Sequence, residues 1–205
     1  MKEREKYNRI LDSLQGLLTE KNIQSISVSE IARQAGMGKG SIYYYFPSKD
    51  AIVDALVERS YQKPLEKAKQ IAGQTGIPPF TKMAMLFEAC HDSSAEYLKQ
   101  GASSVAEENY QEKAYFHQKF QRHLIEQLKP VLTEIISQGI ECGQICFDYP
   151  EELAEIVLIV LSVKIDNTLI PSSREQIENT IRGLISLLEK GTGNPVGSLN
   201  FLTML

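Results

Sequence analysis

The chain lacks any apolar segment long enough to enter a bilayer. Its longest apolar run, Ile156 to Val163, is interrupted by Ser162 and falls well short of the roughly 20 residues that a membrane helix needs. The Lys- and Glu-rich N-terminus lacks the apolar core of a signal peptide, so a cytoplasmic protein is expected. Cysteine is scarce. Cys90, Cys142 and Cys146 make an odd count with no paired framework, so reduced thiols are expected, with Cys142 and Cys146 buried in a connection rather than forming a redox pair. No period-two alternation persists, which excludes an extended sheet. No Ser-His-Asp order, phosphate-loop glycine signature or HExxH is present. Cys90-His91-Asp92, with His117 and His123, invites a metal reading. No pair has zinc-finger spacing, however, and histidines six residues apart do not share a helix face. No metal or cofactor is expected.

The 205 residues carry a net charge of −4, which by itself gives no hint of nucleic acid. The distribution is more informative. Residues 1–50 hold eight Lys/Arg against six Asp/Glu, leaving fourteen against twenty for the rest. A slightly basic head on an acidic body suits a localised phosphate contact.

Helical spacing governs the first twenty residues, where Tyr7, Ile10, Leu11, Leu14, Leu17 and Leu18 form one stripe. Lys2, Arg4 and Lys6 at its start are either phosphate contacts or a solvated helix end. After a break at Asn22, Ser27 and Glu30 have the spacing of a capping box. Val28, Ile31, Ala32 and Ala35 supply a buried face, and Gly36 stands where a helix end favours a left-handed residue. A second short helix is expected from about Gly38 to Tyr45, with Ile42 and Phe46 inward. Tyr43, Tyr44 and Tyr45 cannot all face inward, so one or two phenols are left for phosphate or base edges. Pro47 ends this helix and Ser48 caps the next. Helix, glycine turn, helix is the form of a helix-turn-helix.

At this point the residues match a known pattern. Ile31-Ala32, Ala35-Gly36, the run Lys39-Gly40-Ser41-Ile42-Tyr43-Tyr44-Tyr45-Phe46, and Ser48-Lys49-Asp50 resemble the signature of the TetR family of bacterial transcriptional regulators. Gly38 departs from it, since the family often carries Ser or Thr there. The resemblance implies DNA contact through Ser27, Lys39, Gly40, Ser41, Tyr43, Tyr44, Tyr45 and Lys49. It also implies an all-α fold: a three-helix DNA-binding domain over residues 1–48 and a ligand-binding and dimerisation domain over 49–205.

In the body, a long helix from Lys49 toward Ala72 contains Pro64, which is expected to kink or restart it. Residues 73–79 form a breaker cluster and a candidate boundary. Further helices are expected over 80–100, 112–139 (bent at Pro130), 151–169 and 173–189. The last two read as apolar on more than one face, which suits a subunit interface. The resemblance implies a homodimer through that pair and a palindromic operator in double-stranded DNA. It also implies a pocket for a small-molecule effector, with Met83, Phe87, His91, Tyr110, Phe116, His117, Phe120 and Lys164 as candidates; the same apolar residues serve equally well as plain core. Lys164, Asp166 and Asn167 either emerge at a helix end or meet a polar ligand group. The tail 190–205 either frays or covers a groove. The expected protein is a cytoplasmic, non-enzymatic repressor that leaves its operator when a ligand binds. The alternatives are an activator, a regulator without a ligand, and an all-α enzyme or lipid-binding protein with an incidental helix-turn-helix.

Overall fold

The computed structural model describes residues 2–101, 110–167 and 170–204, and the side chains of residues 2, 91–114, 116, 117, 120 and 166 lie outside that description. Among the described residues there are eight α-helices and no strand. In chain order they are α1 (Lys2–Leu18), α2 (Val28–Gln34), α3 (Lys39–Tyr45), α4 (Lys49–Gly73), α5 (Pro79–Gly101), α6 (Tyr110–Glu141), α7 (Pro150–Asp166) and α8 (Arg174–Gly191). Single 3-10 turns follow α1 at Ile23–Ser25 and α8 at Asn200–Met204. No described helix is long and apolar enough to cross a membrane.

Packing divides the chain into two units: residues 1–61 with 95–120, and residues 62–94 with 121–205. In the first, the stripe of α1 turns inward, and Ile10, Leu11 and Leu14 are at most 1% exposed. Ile31 and Ala32 of α2, Ile42 of α3, and Ile52, Val53 and Val57 of α4 join the same buried set. Burying each large aliphatic side chain contributes about 1.5–3 kcal/mol. Tyr7 of α1 packs its ring 4.8 Å from that of Phe46. Arg59 of α4 donates to Asp12 (2.6 Å) and Gln15 (2.8 Å) of α1.

The second unit is built around one apolar cluster drawn from α4 to α8 and the C-terminal segment. Lys82 of α5 is 4% exposed, and its ammonium donates to the Ala72 carbonyl (2.8 Å) and to Gln138 (2.7 Å). A cation on the last carbonyls of α4 is favoured by the helix dipole. Lys129 of α6 bridges Glu151 (2.9 Å) and Glu155 (2.5 Å) of α7, and the hydrogen bond to Glu155, then that to Glu151, raises its pKa.

Several expectations change. Helix α4 does not restart at Pro64 but continues through it, since proline's fixed φ is itself helical. Helix α6, expected as a single element, spans Pro130. The breaker cluster does form a turn, but the residues on both sides of it, 62–94, belong to one unit. Helix α8 is not apolar all round. Ile181, Leu184, Ile185 and Leu188 are buried on one face, while Leu187 alone of its large apolar residues stands out, at 69% exposure. Ser173 and Gln176 close a second capping box at its start. Cys142 and Cys146 are exposed rather than buried. Cys90 is buried, which pushes its thiol up to about 12 and leaves it without thiolate character. The tail is seated rather than frayed, for Leu199 and Leu202 belong to the core cluster.

Candidate nucleic-acid interface

Both ends of α2 and the start of α4 are fixed by short-range bonds. Glu30 N donates to Ser27 Oγ (3.2 Å), while Ser27 N and Oγ both donate to Glu30 Oε2 (2.9 Å each). Lys21 Nζ donates to the other carboxylate oxygen at 2.8 Å. The Lys21 bond, then the two from Ser27, hold the Glu30 carboxyl down at about 2. At the other end of α2, Gly36 has φ +63°. Its N–H donates to Arg33 O (3.1 Å), and Met37 N donates to Ala32 O (2.9 Å). This pair of bonds is the Schellman ending, which needs the left-handed residue that Gly36 supplies. Ser48 Oγ then accepts from Ala51 N at 3.1 Å and starts α4.

Between these caps, α3 is anchored by Ile42 (0% exposed) and by Phe46 just past its end (4%). The opposite face is open. Lys39, Gly40 and Ser41 are exposed, as are Tyr43 (47%) and Tyr44 (74%). Tyr45 is half-buried and meets Tyr44 edge to face at 5.0 Å. The Lys39 ammonium lies 5.9 Å from the centre of the Tyr43 ring. Among the described residues, the Ser41, Tyr43 and Tyr44 hydroxyls have no hydrogen-bond partner. An ammonium, three hydroxyls and one backbone position without bulk, Gly40, are thus exposed together on α3. These are the groups that meet phosphates and base edges.

Two of the eight residues read from the motif serve the fold directly. The Ser27 hydroxyl is taken up in the capping box. Lys49 Nζ donates to the carbonyls of Ile23 (2.7 Å) and Ile26 (2.9 Å), using two of its three donors to brace the loop before α2. The candidate ligand residues also separate. Met83 and Phe87 line an apolar cavity in the second unit. Lys164 instead reaches Ser172 Oγ (3.3 Å) in the α7–α8 connection. There Asn167, with φ 55°, exchanges two hydrogen bonds with the Ser172 backbone. The side chains of His91, Tyr110, Phe116, His117 and Phe120 lie outside the described residues.

One cluster in the first unit was not read from the sequence. Tyr115 OH donates to Asp50 Oδ1, and Lys119 Nζ bridges Asp50 Oδ2 (3.0 Å) and Asp54 Oδ1 (2.6 Å). Burial, then the bond to Asp50, pushes the Tyr115 phenol up to about 12. Burial disfavours the charged Lys119, but the bonds to Asp54 and Asp50 outweigh it and raise its pKa. The signal was available: Asp50 and Asp54 are four apart on α4, and Tyr115 and Lys119 are four apart on α6, so each pair shares a helix face. The first turns of α6 are thereby tied to the segment of α4 that directly follows the motif.

Known proteins carry the same pattern. Residues 10–56 match the model described as bacterial regulatory proteins, tetR family, and residues 99–184 match the tetracyclin repressor-like C-terminal domain. The chain is 34% identical over 64 residues to YvdT of Bacillus subtilis (strain 168), an uncharacterised HTH-type transcriptional regulator, covering 31% of this chain and 33% of that protein. It is 30% identical over 115 residues to YuxN of the same organism, also an uncharacterised HTH-type transcriptional regulator, covering 53% of this chain and 38% of that one. The matched segments thus span little more than a third of the length of these curated relatives. Among solved structures, the fold is similar to that of SmeT, the repressor of the Stenotrophomonas maltophilia multidrug efflux pump SmeDEF. There the TM-score is 0.62 at 14% identity, over 94% of this chain and 92% of that one. Both ends of the chain match models of one family, and its helices adopt that family's fold: the chain belongs to the tetR family of bacterial transcriptional regulators.

Proposed function

We propose that the chain binds duplex DNA as a homodimer, with α3 in the major groove, and represses transcription until a small-molecule effector releases it. The observation that carries this reading is the open face of α3. Lys39, Gly40, Ser41, Tyr43 and Tyr44 are exposed together on a helix whose back is fixed by Ile42 and Phe46. A rigid helix presenting a cation, hydroxyls and a close-approach glycine suits base-edge and phosphate contact. Ser27 and Lys49 then act by holding α2 and its preceding loop. The working division of labour falls near residue 48, DNA contact before it and regulation after it.

The dimer reading is supported by Ile156 (52% exposed), Ile159 (43%) and Ile165 (44%) of α7 and by Leu187 of α8. Isolated apolar residues on a surface are ordinary, but four on the two C-terminal helices favour a covered face. A two-fold dimer places two α3 helices on half-sites roughly 34 Å apart and calls for a palindromic operator. Release requires an effector that binds the DNA-free arrangement more tightly than the bound one. Helix α4, which follows the motif directly and is tied to α6 by Tyr115 and Lys119, is the element through which the shift would pass. DNA places the protein's work in the cytoplasm.

Fluorescence anisotropy with a palindromic fragment from the protein's own promoter tests the reading. Saturable binding that outcompetes random duplex is expected, with Tyr44→Phe weakening it several-fold while far-UV circular dichroism is unchanged. Equal affinity for random and palindromic duplex would sink it.

A further inference from the structure

The second unit holds a partly open apolar cavity, one side of which is formed by residues 199–202. Its walls include Met83, Phe87, Leu132 and Val157 from three helices, and Leu199, Phe201 and Leu202 complete it. The remaining void is about 30 Å³, room for a water or two and not for an effector. The space is small because the C-terminal turn fills it. The Phe201 ring stacks on that of Phe87 with centroids 6.2 Å apart, and Leu202 is 1% exposed.

That turn is held by apolar packing and by few hydrogen bonds to the rest of the unit. Its own hydrogen bonds are internal: Asn200 N to Gly197 O (3.2 Å), Leu202 N to Leu199 O (3.0 Å) and Thr203 Oγ1 to Asn200 O (2.8 Å). Among the described residues, one bond ties it to a helix, from Leu199 N to Glu189 Oε1 at 3.4 Å. Gly197, bonded to the same oxygen at 2.7 Å, has φ +86°, a left-handed backbone that other residues resist. The seated turn also leaves polar groups unmatched. Among the described residues, Asn194 Oδ1 and Ser198 Oγ are buried without a hydrogen-bond partner, and Asn194 lines the cavity. Among the described residues, no ionisable side chain lines the cavity, and those walls disfavour a charged guest.

We propose that Ser198–Met204 is a displaceable plug, and that the cavity it closes takes a compact, uncharged molecule with an apolar body and one hydrogen-bond donor. The body replaces the Phe201 ring against Phe87, and the donor meets Asn194 Oδ1. This rests on the reading that the chain answers to an effector. It also makes the seated turn a competitor of that effector, so the observed affinity is the intrinsic one reduced by the fraction of open chains.

The test uses 2-naphthol, which carries the donor, and 2-methoxynaphthalene, which does not, followed by fluorescence with the full chain. Phe201→Ala is expected to bind 2-naphthol at least about tenfold more tightly than the unsubstituted chain, since a minor open state is populated to about 10% or less. Asn194→Ala is expected to abolish the preference for 2-naphthol over 2-methoxynaphthalene. In the unsubstituted chain, hydrogen exchange at the amides of residues 198–204 is expected to speed up on saturation with 2-naphthol. This last measurement decides the matter if Phe201→Ala loses its helical circular dichroism. Equal affinity in a folded Phe201→Ala, or exchange at 198–204 that stays constant or slows, overturns the plug. Duplex binding measured on the same samples keeps the DNA reading separate: a chain that binds the operator and fails these tests refutes the plug alone.

Discussion

The helix-turn-helix and the cavity wall hold their shapes over different distances along the chain. In the first, the decisive bonds join residues three to five apart: Ser27 with Glu30, Ala32 with Met37, and Ser48 with Ala51. In the second they join residues far apart, as when Phe87 meets Phe201; elsewhere in the same unit Lys82 meets Gln138 across 56 positions. Locally fixed structure can present an open face without collapsing, because capping and turn chemistry hold it from within. The cavity has no such internal support, and its size is set by whatever packs into it.

The largest effect expected in the motif comes from one of its buried anchors. Ile42→Ala removes the fully buried anchor of α3 and should cost about 2–5 kcal/mol, abolishing duplex binding along with the cooperative unfolding signal. A stability loss confined to a few tenths of a kcal/mol would show that α3 is held by its caps alone. Next is Gly36→Ala. Its Cβ would meet nothing within 4 Å, so the penalty is purely that of the left-handed backbone, about 1–2 kcal/mol in chemical denaturation. A neutral outcome would mean that the turn can change type. Ser27→Ala follows at about 1 kcal/mol. Measured in the same way, it separates the hydroxyl's capping role from any DNA role, since a substitution that lowers affinity without lowering stability would point to direct contact.

That ranking also explains what could be read in advance. The capping box, the left-handed Gly36, the inward Ile42 and the outward Tyr44 follow from local spacing. The helix order follows from periodicity. The use of Lys49 as a brace could not be read, because its acceptors, Ile23 O and Ile26 O, lie more than twenty residues upstream. Whether α4 restarts at Pro64 is not legible from the sequence, because a proline's cost in a helix depends on what else holds the helix together. The sharp amphipathicity of α8 was blurred by reading it together with α7, whose exposed isoleucines are a property of that helix. The seating of the tail depends on Phe87, which stands over a hundred positions earlier. Residue spacing carries no trace of such a pairing.

A smaller effect links the capping box to pH. The Glu30 carboxyl titrates at about 2 in the folded chain against 4.5 for the free group. The folded value is depressed, so its contribution to stability is complete above 4.5 and fades as the pH falls toward 2. Following the Glu30 carboxyl by NMR should give a midpoint near the lower value, and Lys21→Ala should move it upward. A midpoint near 4.5 in the unsubstituted chain would mean that the box is open in solution.

The salt dependence of operator binding tests most directly whether α3 meets DNA. Plotting log affinity against log salt for the unsubstituted chain and for Lys39→Ala isolates the exposed ammonium of α3 from the buried anchors behind it. If Lys39 neutralises a phosphate, the slope should flatten by about 0.9 for each α3 that contacts the duplex, with stability unchanged. Identical slopes would contradict the claim that this face of α3 meets DNA.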